Sequence, residues 1–251
     1  MRSSHNKQFK LYLQFLIFLV FLGCKTSYQA GKMQSQSISV VKKTTDSSFS
    51  LIDQFLKPYQ ERMSDSFSIV IAQIEEKLVK KTPAGSLGNM VVNAMHSYIT
   101  TSWSKQDVQI PPVTIILMNP GGIRLKEIEP GPFTLESLFK LLPFENTLVN
   151  LSISGPDLST LLAGTNSAGG WPMKLITPTS VQINSLVDLE KIPVINLVTN
   201  DYLAQGGDGC SILKTLPHED SRILLRDIVK NYLIKQKKIG ADNEIRILKD
   251  K

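Results

Sequence analysis

The residues of this 251-residue chain that could do chemistry gather in three short segments. The first is Asn119-Pro120-Gly121-Gly122-Ile123-Arg124, where paired glycines after an apolar run let the backbone approach a ligand with no Cβ in the way. Arg124 carries a guanidinium fork suited to a phosphate or a carboxylate. Alone, the loop reads more simply as a Gly-Gly turn before a solvated arginine. The second is Leu142-Pro143-Phe144-Glu145-Asn146-Thr147, with an aromatic ring and an amide where a helix gives way to a strand. A phenylalanine after a proline serves equally well as a core plug. The third is Thr199-Asn200-Asp201-Tyr202-Leu203-Ala204-Gln205-Gly206-Gly207-Asp208-Gly209. Its glycines permit φ > 0 and present Asp208 on open backbone, able to accept two hydrogen bonds from a sugar diol. The alternative is an Asx turn whose carboxylate bonds its own loop.

These segments need elements to hold them. Val113 to Met118 is a short apolar run that suggests a buried strand delivering the Asn119 loop. Met90, Val91, Ala94, Met95, Tyr98 and Ile99 recur at helical spacing after Ser86, a candidate cap. Thr134 precedes a helix over Leu135 to Leu142 that Pro143 closes. Strands are expected at Thr147–Ile153, around Met173–Ile176 and at Ile192–Thr199, with a helix over Asp157–Ala163 ending before Gly164. Phe67, Ile69 and Ile71 alternate as a strand would, and Asp220 is placed to cap a helix through Ile223, Ile228 and Leu233. Ile245, Ile247 and Leu248 suggest a terminal strand. Leu51, Phe55, Tyr59 and Met63 suggest a helix that Pro58 would kink or split.

At the amino terminus Arg2, Lys7 and Lys10 precede the apolar run Leu11 to Leu22, then Gly23 and Cys24. The run is shorter than the roughly 20 residues a membrane-crossing helix needs. The pattern predicts a signal peptide over 1–23 and resembles the lipobox of bacterial lipoproteins, in which Cys24 would be lipidated. That implies export to the bacterial cell envelope and membrane attachment through Cys24. Residues 24–50, rich in Ser, Thr, Gln and Lys, read as a flexible tether, and 51–251 as a single domain. Cys210 is then a lone cysteine, expected to be buried and inert. The chain has a formal charge of +6, but without the three leader cations 25 basic residues stand against 22 acidic ones. That scattered balance argues against binding a nucleic-acid polymer.

Taken together, Ser86-Leu87-Gly88-Asn89, the NPGGIR loop, LPFENTLV with the following ISGPDLSTLL, and TNDYLAQGGDG resemble the C-terminal, substrate-binding domain of the 5'-nucleotidase family. The resemblance runs from about Ser66 to the end of the chain. It implies an α/β sandwich of mixed sheets flanked by helices, binding the nucleoside part of a nucleotide. By the same resemblance Phe144 and Tyr202 match the rings that sandwich the base, and Asp208 the residue that holds the ribose hydroxyls. Arg124 matches an arginine beside the phosphate, Asn119 the asparagine that opens that loop, and Asn146 an amide near the base edge. Gly121, Gly122 and Gly207 match glycines of the same site.

Two departures follow. Family members supply an arginine about five residues before Gly88, where this chain has Pro83. Lys80 and Lys81 nearby offer point charges without a bidentate fork. Asn93 also stands where an aspartate is common. Members that hydrolyse phosphate esters unaided carry a metallophosphoesterase domain with two metals ahead of this one. The stretch between Cys24 and Leu51 is too short for that domain, and His5, His96 and His218 lack metal-ligand spacing. The expectation is a substrate domain with no catalytic residues or cofactor of its own, divalent metals residing in a separate metallophosphatase chain. The alternatives are a lipoprotein that binds nucleosides or nucleotides without chemistry, and a surface adaptor that has kept the fold and lost the ligand.

Overall fold

The computed structural model describes residues 54–58, 65–83, 85–105 and 113–249. The expected signal peptide, Cys24, the tether and Leu51, Tyr59 and Met63 of the expected first helix lie outside the described residues; among those described, 54–58 are helical. In chain order the strands are β1 (Val70–Ile74), β2 (Leu78–Val79), β3 (Thr114–Leu117), β4 (Glu127–Ile128), β5 (Gly131–Thr134), β6 (Thr147–Ile153), β7 (Met173–Ile176), β8 (Ile195–Asn200), β9 (His218–Leu224) and β10 (Lys238–Ile239). The helices are α1 (Ser86–Lys105), α2 (Leu135–Leu141), α3 (Gly155–Ser167), α4 (Leu186–Glu190), α5 (Asp201–Ala204) and α6 (Leu225–Gln236).

The central sheet runs β7-β3-β8-β6-β9, with β3 and β8 parallel and the other neighbours antiparallel. Every residue of β3 and β8 is buried, because both faces of this sheet are covered. Ile115, Leu117, Val149, Leu151 and Leu197 pack against α3 and α4 on one side. Ile116, Leu148 and Val198 face α1 and α6 on the other. Those two helices bury their second face on Ala72, Ile74 and Phe133 of a three-stranded sheet, β10-β1-β5. The result is an α/β architecture of mixed sheets with helices between and outside them, as the sequence led us to expect.

Pairing register decides where the loops gather. Ile116 lies beside Val198 in the parallel pair, and Leu148 at the start of β6 lies opposite Asn200 at the end of β8. The chain leaving β3, the chain leaving β8 and the chain entering β6 therefore emerge at one edge of the sheet, at the carboxyl ends of its parallel strands.

Several local expectations need correction. Ser86 is the first residue of α1 rather than its cap, and its buried hydroxyl accepts the Val79 amide across to β2 at 2.9 Å. Helix α3 continues through Gly164 to Ser167 and stops where Gly169 and Gly170 adopt positive φ, 96° and 84°. Asp220 lies inside β9 opposite Val149; the open edge of β6 recruits this segment as a strand, and α6 starts only at Leu225. Phe67 belongs to a helical turn and stacks edge-on against Phe139, with the strand beginning at Val70. Around Ile245 and Ile247 the chain is irregular, because side-chain amides rather than a strand partner meet its carbonyls. Asn89 donates to the carbonyls of Asp242 and Glu244, each at 2.9 Å, and Asn166 to that of Leu248 at 2.6 Å.

Candidate functional site

Where those three loops meet, Asn119, Gly121, Gly122, Arg124, Phe144, Asn146, Tyr202 and Asp208 line one open cleft of about 310 Å³. These are eight of the nine ligand-site residues singled out in the sequence. The ninth, Gly207, lies directly behind Tyr202: a Cβ on it would come within 2.4 Å of the ring. Phe144 and Tyr202 are 46% and 44% exposed, so neither plugs the core. Large aromatic side chains left this accessible on one cleft offer stacking faces.

Asp208 sits in a 3₁₀ turn in left-handed backbone (φ 50°), with Gly206 and Gly209 also at positive φ. Its carboxylate is exposed and held by two donors: Asn119 Nδ2 at 2.7 Å from Oδ2 and Tyr202 Oη at 2.9 Å from Oδ1. Two carboxylate oxygens offer about four lone-pair positions, so acceptor capacity remains on the solvent side. The bond to Asp208 raises the Tyr202 phenol above its usual pKa.

Asn119 itself is buried, and its amide is spent inside the protein. Asn200 Nδ2 donates to Asn119 Oδ1 at 3.0 Å, and Asn200 Oδ1 caps α5 by accepting the Leu203 amide at 2.9 Å. A chain of buried amides thus runs from the end of β8 to the exposed Asp208 carboxylate. Beside it, Asp201 Oδ1 accepts both the Thr147 amide at 3.2 Å and the Tyr202 amide at 2.9 Å, tying the entry of β6 to the start of α5. Neither Asn200 nor Asp201 was singled out as functional. An asparagine and aspartate opening a short helix look like ordinary capping residues.

Arg124 brings positive charge to the same lining. The Arg124 guanidinium carbon lies 5.6 Å from the centroid of the Phe144 ring, within cation–π reach. Lys80 Nζ donates to the Ile123 carbonyl at 2.7 Å, and burial, with the Arg124 charge added, lowers its pKa. Lys81 is exposed, and Pro83 packs against Gly170. The cleft therefore sets a guanidinium and a carboxylate on a frame of two aromatic rings.

The described histidines, His96 and His218, do not line the cleft. Burial and the neighbouring charges of Lys174 and Arg246 lower the pKa of His96, and the same cations oppose a bound metal ion. His218 lies on β9, exposed, 3.3 Å from the Leu216 carbonyl through Nδ1. Among the described residues no group of three or more His, Cys, Asp or Glu could hold a metal ion. Asn93, whose role the sequence left open, is the hub of a separate network. Its Oδ1 accepts from Lys174 at 3.1 Å and Arg246 at 2.9 Å, and its Nδ2 donates to Asp242 at 2.9 Å. Cys210 is buried and unpaired, as expected, and burial with the nearby Asp208 charge pushes its thiol up to about 11.

Comparison with known proteins bears on the family and the fold. Residues 70–186 match the family model "5'-nucleotidase, C-terminal domain". A "Probable 5'-nucleotidase" of Treponema pallidum (strain Nichols) is 29% identical over 40% of this chain and 21% of its own length. An "Apyrase" of Tabanus yao is 25% identical over 72% of this chain and 36% of its own. The chain thus spans well under half of each of these relatives. Among solved structures, the 5'-nucleotidase precursor of Thermus thermophilus shares the fold with a TM-score of 0.61 at 23% identity, over 79% of this chain and 43% of that one. The NAD nucleotidase of Haemophilus influenzae shares it with a TM-score of 0.53 at 16% identity, over 78% and 40%. Arg124, Phe144 and Asn146 fall within the matched segment, and the sheet that ends it continues into β8 and the Asp208 turn. The segment from β1 to the first residue of α4, which brings Asn119, Arg124, Phe144 and Asn146 to this cleft, belongs to the 5'-nucleotidase C-terminal domain family.

Proposed function

We propose that this chain is the nucleotide-gripping half of a 5'-nucleotidase-type phosphohydrolase. In this reading the base stacks between Phe144 and Tyr202, the ribose hydroxyls bond Asp208, and Arg124 faces the phosphate. The observation that carries the reading is the convergence of two exposed rings, a glycine-framed carboxylate and an arginine on one cleft. Stacking is worth about 1 to 3 kcal/mol per base and a bond to a carboxylate about 1.5 to 3 kcal/mol. Those terms together support micromolar nucleoside binding after the entropy of association is subtracted. Divalent metals and hydrolysis would come from a separate metallophosphatase chain, with this protein held at the bacterial cell envelope through lipidated Cys24. The leader sequence supports the location.

Calorimetry with adenosine and AMP tests the grip. Saturable binding is expected, weakened at least about tenfold in Phe144→Ala and in Asp208→Ala. No saturable binding by any common nucleoside would remove the reading. Release of phosphate from AMP only after a metallophosphatase chain is added is the outcome expected for the split enzyme. Binding without turnover under any pairing would favour a purely binding lipoprotein.

A further inference from the structure

Arg226 is a buried cation at an unfavourable address. It is the second residue of α6, only 8% exposed, at the helix end whose dipole repels positive charge. No carboxylate forms a salt bridge with it among the described residues. Its guanidinium instead reaches the far side of the α2 terminus. Nη1 donates to the carbonyls of Leu142 at 3.1 Å and Pro143 at 3.3 Å, and the guanidinium carbon lies 4.1 Å from the centroid of Phe139. Phe67 braces Phe139 from the edge, with ring centroids 5.1 Å apart.

Leu142 and Pro143 immediately precede Phe144. Beyond that ring, the Leu225 amide donates to the Asn146 carbonyl at 2.9 Å. The first two residues of α6 thus fasten the segment on both sides of Phe144, one through a side chain and the other through the backbone. Upstream, the Arg124 amide donates to the Leu141 carbonyl at 2.9 Å, joining the same helix end to Arg124. Phe144 itself is half-exposed with the Arg124 guanidinium over its ring, and the backbone from which the ring departs is fixed by the carbonyls that precede it.

We propose that Arg226 is a positioning residue for the ligand cleft: by holding the Leu142 and Pro143 carbonyls it sets the direction in which Phe144 presents its ring. It touches no ligand and acts through Phe144 alone. The consequence for binding rests on the nucleoside reading above, whereas the consequence for the ring stands without it.

The test places 4-fluorophenylalanine at position 144 of the full chain and compares wild type, Arg226→Met and Arg226→Lys by ¹⁹F NMR without ligand, then titrates each with adenosine. In Arg226→Met the methionine covers Phe139 but offers the carbonyls nothing. The fluorine signal should move toward its value in the denatured protein, and adenosine affinity should fall about tenfold, the loss expected for one charge-assisted contact. Arg226→Lys keeps a single donor and should lie between the two. Should Arg226→Met prove insoluble, Arg226→Lys carries the comparison with the same expected directions. A fluorine signal identical to wild type in a folded Arg226 variant overturns the proposal, and so does a shifted signal with undiminished adenosine affinity. Wild-type protein that binds no nucleoside would count against the nucleoside reading, while the fluorine comparison would still decide the role of Arg226.

Discussion

The Tyr202 hydroxyl donates to Asp208 Oδ1 at 2.9 Å, so the ring that walls the cleft also holds the carboxylate beside it. Stacking face and hydrogen-bond acceptor are one assembly, and the third member is Gly207, whose missing side chain gives the ring its place.

Tyr202→Phe keeps the face and removes the donor, and Tyr202→Ala removes both. Adenosine affinity should fall about threefold or less in the first and about tenfold or more in the second, since stacking carries the larger share. Calorimetry measures both. The same bond raises the phenol pKa, so ultraviolet titration of wild type minus Tyr202→Phe should show this phenol ionising above the usual value of about 10. A neutral phenol favoured by folding stabilises the protein below that usual value, and the benefit disappears as pH rises through the shifted pKa.

Gly207→Ala would put a Cβ 2.4 Å from a Tyr202 ring carbon. The ring must swing away and release Asp208. We expect about a tenfold loss of adenosine affinity, because a bond to the carboxylate then forms against an unheld partner. The turn is at the surface, so thermal midpoints of the two proteins should stay within a few degrees by calorimetric scanning. Unchanged affinity would show that the ring tolerates displacement.

Asn93→Ala should lower stability by about 1 to 3 kcal/mol in denaturant unfolding and leave adenosine affinity alone, since its partners Lys174, Arg246 and Asp242 lie outside the cleft. Burial by itself would raise the Asp242 carboxyl. The Asn93 amide, the Glu244 backbone amide and the charges of Arg246 and Lys174 outweigh it and hold the pKa low. A lowered carboxyl contributes stability above its unfolded value of about 4 and loses it as pH falls through the folded pKa. Without the Asn93 donor this acid-side slope should become shallower.

Cys210 should react slowly with thiol reagents at pH 8 in a Cys24→Ser version of the full chain. Its buried thiol, pushed up to about 11, keeps almost no thiolate at that pH. Denaturant should speed the reaction sharply. Rapid labelling of the native protein would contradict the burial.

The cleft was legible because its residues stand where glycine and proline interrupt apolar runs: Gly121-Gly122 after β3, Pro143 after α2, and Gly206-Gly207 after α5. Such breaks mark strand and helix ends from sequence alone, and ligand-binding side chains collect there. What holds them was less visible. Arg226 looks like any charged residue in a helical turn, and its carbonyl partners lie more than 80 residues upstream. The Asp220 segment reads as a helix start by local chemistry, but the unpaired edge of β6 claims it as a strand. Non-local pairing of that kind leaves no local signature.

Asp201 bridges the amides of Thr147 and Tyr202 with one carboxylate oxygen. One strut therefore spans from the chain just beyond Phe144 to the backbone of Tyr202, tying two segments of the lining together before any guest arrives. Two lining segments joined in this way move as one piece, so a molecule entering the cleft meets walls already assembled and spends little binding energy on ordering them.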